Sequence, residues 1–101
     1  MALVVVVTSD VADRFRGFLG SVMLEVSAGL YVAPRMNKGV RERTWSVLAD
    51  WHGHEPRGSV VMVWRDLDAV GRIGISHLGA PSRELVEVDG MYVVRRMMTV
   101  G

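Results

Sequence analysis

Apolar runs along the chain alternate with segments in which apolar residues recur every three or four positions. The run Leu3–Val7 is β-branched and unbroken, which is typical of a strand covered on both faces. Asp10 follows as a candidate helix N-cap, and helical spacing then predicts a first helix over Val11–Glu25. Ala28–Ala33 predicts a second strand, in which Gly29 indicates either a kink or a tight pair of strands.

The next part of the chain predicts one more helix and two more strands. Asn37 is the candidate N-cap of the second helix, and Gly53 is placed to end it. The predicted apolar face of this helix is formed by Val40, Thr44, Val47, Leu48 and Trp51. Apolar runs then predict strands over Gly58–Trp64 and Arg72–Leu78, followed by a loop over Ala80–Glu84.

The dipeptide Asp89-Gly90 between two apolar runs predicts a β-hairpin over Leu85–Val94. The element order is therefore βαβαββ with a C-terminal hairpin, which predicts an α+β fold: a ferredoxin-like sandwich with two helices on one face of a mixed sheet. We expect residues 1–84 to form the ferredoxin-like domain and residues 85–101 a hairpin tail. The sheet face without helices needs a cover, which predicts a homodimer or a tail folded across the sheet.

Composition narrows the classes of function. Of the 101 residues, 50% are hydrophobic and 23% are charged, which suits one globular core. The net charge of +1 excludes a histone-like polycation, and the longest apolar run is too short to cross a bilayer. Without cysteine there is neither a disulfide framework nor a thiolate zinc site. No basic residue precedes the first apolar run, so we expect no secretory signal and a cytoplasmic location.

Several segments, in their order and spacing, resemble a known family. They are Leu3–Thr8, Arg14–Gly17, Leu24–Val26, Ala28–Val32, Arg41-Glu42 before Trp45, Gly58–Trp64 and Val88–Gly90. Together they resemble the type I-E branch of CRISPR-associated protein two, the small subunit of the spacer-acquisition complex. The resemblance implies a ferredoxin-like homodimer between two dimers of the integrase, CRISPR-associated protein one. In that role the dimer holds the middle of a short protospacer DNA duplex.

Arginines on the predicted first helix are the candidate DNA contacts. A rotation of about 100° per residue puts Arg14 and Arg16 on opposite borders of its apolar face, with Gly17 and Gly20 on the solvent face. The sequence alone leaves two interpretations: snorkelling arginines, or a smooth surface that a phosphate backbone can approach. The resemblance implies the second, because both positions match family contacts to duplex backbone. Arg83 likewise matches a DNA-contacting basic position.

Asp10 is the one candidate for a catalytic or metal-binding residue. Relatives described as metal-dependent nucleases carry an acid at the end of the first strand, where Ser9 stands in this chain. One acid per chain is a poor ligand set for a divalent ion, so we interpret Asp10 as a helix cap and expect a scaffold that requires no cofactor. The alternative is a Mg²⁺-dependent endonuclease with a symmetric pair of Asp10 residues in the homodimer.

The apolar hairpin predicts a docking segment, since a two-stranded hairpin alone is marginally stable in water. The resemblance implies that it docks on the integrase. The candidate contacts are Val86, Val88, Met91, Val93 and Val94. The sequence leaves open whether the hairpin pairs with its own subunit, the dimer mate or the integrase.

The histidines carry no clear chemistry in this pattern. His52 and His54 flank a helix end and are interpreted as solvated. His77 alternates with apolar residues and is predicted to be packed, while Trp45 lies off the apolar face, suited either to an interface or to a neighbouring loop. Without the resemblance, a pocket lined by His77 and the tryptophans would favour a small ferredoxin-like enzyme or ligand-binding domain.

Overall fold

A computed structural model describes residues 2–79 with their side chains and residues 83–88 and 91–96 as backbone strands. In chain order the elements are β1 (Ala2–Ser9), α1 (Asp13–Val22), β2 (Leu24–Ser27), β3 (Leu30–Met36), α2 (Lys38–His54), β4 (Ser59–Arg65), β5 (Ile73–Leu78), β6 (Arg83–Val88) and β7 (Met91–Arg96). A short 3₁₀ turn, Val70–Arg72, precedes β5. Neither helix in the described part of the chain is long and apolar enough to cross a membrane.

Strands β1 to β5 form one sheet in the order β2-β3-β1-β4-β5. All four neighbouring pairs are antiparallel, so the sheet is antiparallel throughout instead of mixed. The reason is that each helix joins two strands that run the same way, while a third strand lies between them in the opposite direction. With both helices packed on one face, this arrangement confirms the predicted α+β sandwich of ferredoxin-like type.

The first helix ends earlier than predicted. α1 stops at Val22, and Leu24–Ser27 forms the edge strand β2, with Glu25 opposite Tyr31 of β3. The predicted tight pair of strands is therefore present, but it begins at Leu24, and Gly29 makes its turn with a φ of 79°. Leu and Glu are good helix formers, so the local sequence favoured an extension of the helix. Hydrogen bonding to β3 makes the segment a strand instead.

One face of the sheet packs against both helices and forms the core. The core side chains include Val4, Val6, Phe15, Leu19, Tyr31, Leu48, Val60 and Met62. The other face, here called the open face, carries Leu3, Val5, Val7, Val32, Val61, Val63 and Ile75. Neither helix covers the open face, and Leu3 and Val7 are 49% and 46% exposed. Among residues 2–79, the two-sided cover expected for the first strand is thus supplied on one side only.

Helix α2 begins as predicted. The Asn37 side chain accepts a hydrogen bond of 2.8 Å from the backbone N–H of Val40, which confirms the N-cap. Thr44 and Leu48 are buried on the predicted core face, and the helix continues to His54, one residue past Gly53.

Strands β6 and β7 form the predicted hairpin as a separate two-stranded antiparallel sheet, with Leu85 opposite Val94 and Val88 opposite Met91. β6 begins at Arg83, inside the predicted loop. The turn residues, Asp89 and Gly90, lie outside the described residues.

Candidate nucleic-acid interface

The solvent face of α1 carries the two arginines that the sequence proposed as DNA contacts. Arg14 and Arg16 are exposed on either side of Phe15, which is fully buried. Gly17 and Gly20 lie between them around the helix, and a Cβ added at either position would meet no atom within 4 Å. The helix backbone is therefore accessible between two guanidinium groups.

Arg14 packs against the second helix. Its guanidinium carbon lies 4.8 Å from the centroid of the Trp51 ring, within the range of a cation–π contact. The rings of Phe15 and Phe18 meet the same tryptophan edge-on, with centroid separations of 5.7 and 5.4 Å. The Trp51 ring is thus held by α1 on two sides and supports a cation of α1 on its face.

Arg16 lies beside a carboxylate of the edge strand β2. Its Nη2 atom is 3.7 Å from Oε2 of Glu25, with more than a third of each side chain exposed. The nearby Tyr31 hydroxyl, together with Arg16, lowers the pKa of Glu25, while the same hydroxyl and Glu25 raise the pKa of Arg16. Burial raises the pKa of Tyr31 itself. That hydroxyl makes no hydrogen bond of regular geometry with the described residues, so we interpret the three groups as close neighbours rather than a formed network.

Asp10 is not the cap of α1, contrary to the sequence-based prediction. The helix begins at Asp13, its N-cap is Ala12, and no side chain caps it. Val11 is buried at 7% exposure, which anchors the chain between strand and helix and delays the start of the helix. Asp10 instead has a φ of 55° and lies 3.5 Å from Nη2 of Arg57.

Within one chain, the surroundings of Asp10 offer few ligands to a divalent ion. A guanidinium already lies beside the carboxylate, and residues 2–79 contain no group of three acidic or histidine side chains that could hold a metal. Hard divalent cations need several oxygen ligands, so one paired carboxylate per chain is an inadequate set.

The histidines take different environments. His54 Nδ1 lies 2.8 Å from the carbonyl oxygen of Asp50, and His52 Nε2 lies 3.2 Å from that of Gly58, so both are engaged with backbone near the end of α2. His77 is exposed, contrary to the prediction that it is packed. The reason is its register opposite Val61, which places it on the open face rather than under a helix.

Among the described residues, the cavity lined by tryptophans does not include His77. Trp45 and Trp64 line a cavity of about 250 Å³ on the helix side of the sheet, together with Arg41, whose guanidinium carbon lies 4.3 Å from the Trp64 ring centroid. Trp45 is packed against the core, which differs from both predicted positions, an interface and a neighbouring loop.

The remaining candidates cannot be placed at the side-chain level. Arg83 and the hairpin residues Val86, Val88, Met91, Val93 and Val94 belong to β6 and β7, whose side chains lie outside the described part of the chain.

Three residues that contact the candidate site residues were not predicted from the sequence. Trp51 was predicted only as a member of the apolar face of α2, since nothing local indicates that its partner is Arg14. Arg57 meets Asp10 across a long stretch of sequence. Glu25 had a usable signal, because the alternation Leu24-Glu25-Val26 also fits a strand.

The fold and these side chains define a ferredoxin-like α+β subunit with a candidate nucleic-acid interface on α1. A family model described as CRISPR-associated protein (Cas_Cas2CT1978) matches residues 3–93. The chain belongs to this family of CRISPR-associated proteins of the Cas2 type. Its CRISPR-associated role, expected from the resemblance, is confirmed.

Proposed function

We propose that this chain is a DNA-binding scaffold subunit of the CRISPR adaptation complex, in its type I-E form. It holds the protospacer duplex between two dimers of the integrase, CRISPR-associated protein one, during spacer acquisition in the cytoplasm. The observation that carries the DNA-binding part is the exposed pair Arg14 and Arg16 around an open helix surface. Guanidinium contacts to phosphates position a duplex without reading its sequence.

A homodimer joined through the open face is part of the proposal. Exposed apolar side chains such as Leu3 and Val7 gain about 25 cal/mol for each Å² that a second copy removes from water. Because α1 packs on the opposite face of the sheet, this dimer leaves Arg14 and Arg16 of both copies exposed to a duplex.

The hairpin β6–β7 is proposed as the integrase-docking segment. Its strands pair with each other and, among the described residues, with no strand of the larger sheet. An isolated two-stranded sheet is marginal in water and gains stability from a partner surface. Val86, Val88, Met91, Val93 and Val94 remain the proposed contacts, and Arg83 remains a proposed duplex contact at the start of β6.

The proposed role is non-catalytic, and the environment of Asp10 supports this. Its carboxylate lies 3.5 Å from Nη2 of Arg57, a cation that competes with a metal ion for the same oxygens. The competing hypothesis is a Mg²⁺-dependent endonuclease with an Asp10 from each subunit, which requires both carboxylates to be available to the ion.

The variant Asp10→Ala separates the two functions. The complex is reconstituted with a CRISPR-associated protein one integrase, and integration of a duplex is measured with wild-type chain, variant chain and no chain. A scaffold integrates equally well with wild type and variant, and fails without the chain. The exposed Asp10–Arg57 pair contributes little to stability, so most of the expected loss, about 1 kcal/mol, comes from placing alanine at a φ of 55°. Nucleic-acid cleavage by the purified chain in Mg²⁺, abolished in Asp10→Ala, would establish the nuclease instead.

A further inference from the structure

We propose that Trp51 is a positioning residue for DNA binding: its ring face orients the Arg14 guanidinium toward a phosphate of the duplex. This inference rests on the proposed function and adds a residue of α2 to the interface on α1. The two arginines then differ in their neighbours within the chain. Arg14 contacts the neutral ring of Trp51, whereas Arg16 lies beside the Glu25 carboxylate.

Contacts from α1 hold the orientation of the Trp51 ring, and Arg14 lies against the face of that ring. Phe15 and Phe18 contact Trp51 at interplanar angles of 73° and 71°, so two edge-on contacts from α1 hold its orientation. The Arg14 guanidinium carbon then lies 4.8 Å from the ring centroid. Trp51 is half-buried, so its ring joins the core while a part of it reaches the surface where Arg14 is exposed.

A ring orients a guanidinium without neutralising it. The N–H groups of arginine lie in the guanidinium plane, so a contact with a ring leaves donors that can meet two phosphate oxygens. Arg16, in contrast, lies 3.7 Å from Glu25, and its charge is partly balanced before DNA arrives. Arg14 forms no ion pair with any residue in the stretch 2–79. Its full charge is therefore available to the duplex in a restricted orientation.

The test is a double-mutant cycle on duplex affinity in the assembled complex. The variants are Arg14→Ala, Trp51→Leu and the combination, with a fluorescently labelled duplex titrated at fixed salt. Trp51→Phe keeps an aromatic face with less disturbance of the core, so it serves if the leucine variant unfolds. Arg43, exposed elsewhere on α2, supplies the matched control cycle with Trp51→Leu.

We expect Trp51→Leu to weaken duplex binding about two- to fivefold when Arg14 is present and to have no effect in the Arg14→Ala background. The phenylalanine variant should retain most of the affinity. The control cycle should show no coupling between Trp51 and Arg43, whatever the effect of Arg43→Ala alone. A purely structural role of Trp51 would instead weaken binding by the same factor in both backgrounds.

The outcomes separate this inference from the proposed function. If Arg14→Ala weakens binding but the cycle shows no coupling with Trp51, the positioning role is overturned and the duplex contact stands. If Arg14→Ala leaves the affinity unchanged, the contact itself is overturned, and the positioning role with it.

Discussion

The indole ring of Trp64 packs on β5 at a position where only glycine leaves room. Gly74 is buried opposite Trp64 in the register of β4 and β5, and a Cβ there would overlap the ring. We expect Gly74→Ala to lower the free energy of unfolding by about 1–3 kcal/mol, because a bulky ring beside a strand cannot move aside without repacking. Urea unfolding measures this change.

The matched control for that variant is Gly53→Ala in the last turn of α2. An added Cβ there meets no atom within 4 Å, and alanine is the better helix former. The control should raise the stability by up to about 1 kcal/mol. Equal effects of the two substitutions would show that the packing of Trp64 on β5 is not as described.

At the residue scale, predictability follows how local the interaction is. Asn37 could be assigned as a cap because its hydrogen-bond partner, Val40, is three residues away. The sequence around Asp10 predicted an equivalent helix cap. Val11 is instead buried in the core, and the helix begins at Asp13. The contact between Arg14 and Trp51 depends on how two helices pack, which no local pattern contains.

At the scale of elements, the hairpin forms a two-stranded sheet of its own. β6 and β7 pair only with each other among the described strands, and the buried core of residues 2–79 lies in the larger sheet and its two helices. We predict that a chain ending at Glu84 folds and dimerises but does not co-purify with the integrase. Circular dichroism, sedimentation and co-purification measure the three properties. Aggregation or a monomeric truncated chain would instead assign the hairpin to the dimer itself.

The elements that the sequence predicts well are those whose local signals agree with one another. α2 has a cap, a core face and a terminal glycine, and the hairpin has an Asp-Gly turn between apolar runs. β2 was merged with the first helix because the edge strand is four residues long and its four side chains are exposed. Pairing with β3 makes Leu24–Ser27 a strand, and this pairing cannot be derived from the local sequence.

At the scale of the whole molecule, the open face is the surface through which we propose that two copies associate. The sequence predicted one uncovered apolar sheet face, and the structure shows which residues of β1, β3, β4 and β5 form it. The sequence could not predict that His77 also lies on this face, because its position there depends on the register between β4 and β5.

A lysine on the open face should prevent dimerisation. Val7 lies on that face and is 46% exposed, so Val7→Lys would bury a charge between two copies. Val22, 40% exposed on α1 in the helix layer, is the matched control. We expect Val7→Lys to sediment as a monomer at micromolar concentration and Val22→Lys as a dimer. A dimeric Val7→Lys variant would place the interface elsewhere.

The salt dependence of duplex binding by the assembled complex tests the DNA-binding scaffold most directly. With Arg14 and Arg16 both changed to alanine, affinity should fall equally for unrelated sequences. The slope of log affinity against log salt should shrink by about 0.9 for each phosphate that an arginine no longer neutralises. Changing both arginines to lysine keeps the charge and should keep most of the slope. Unchanged affinity and slope in the alanine variant would contradict a duplex held on α1.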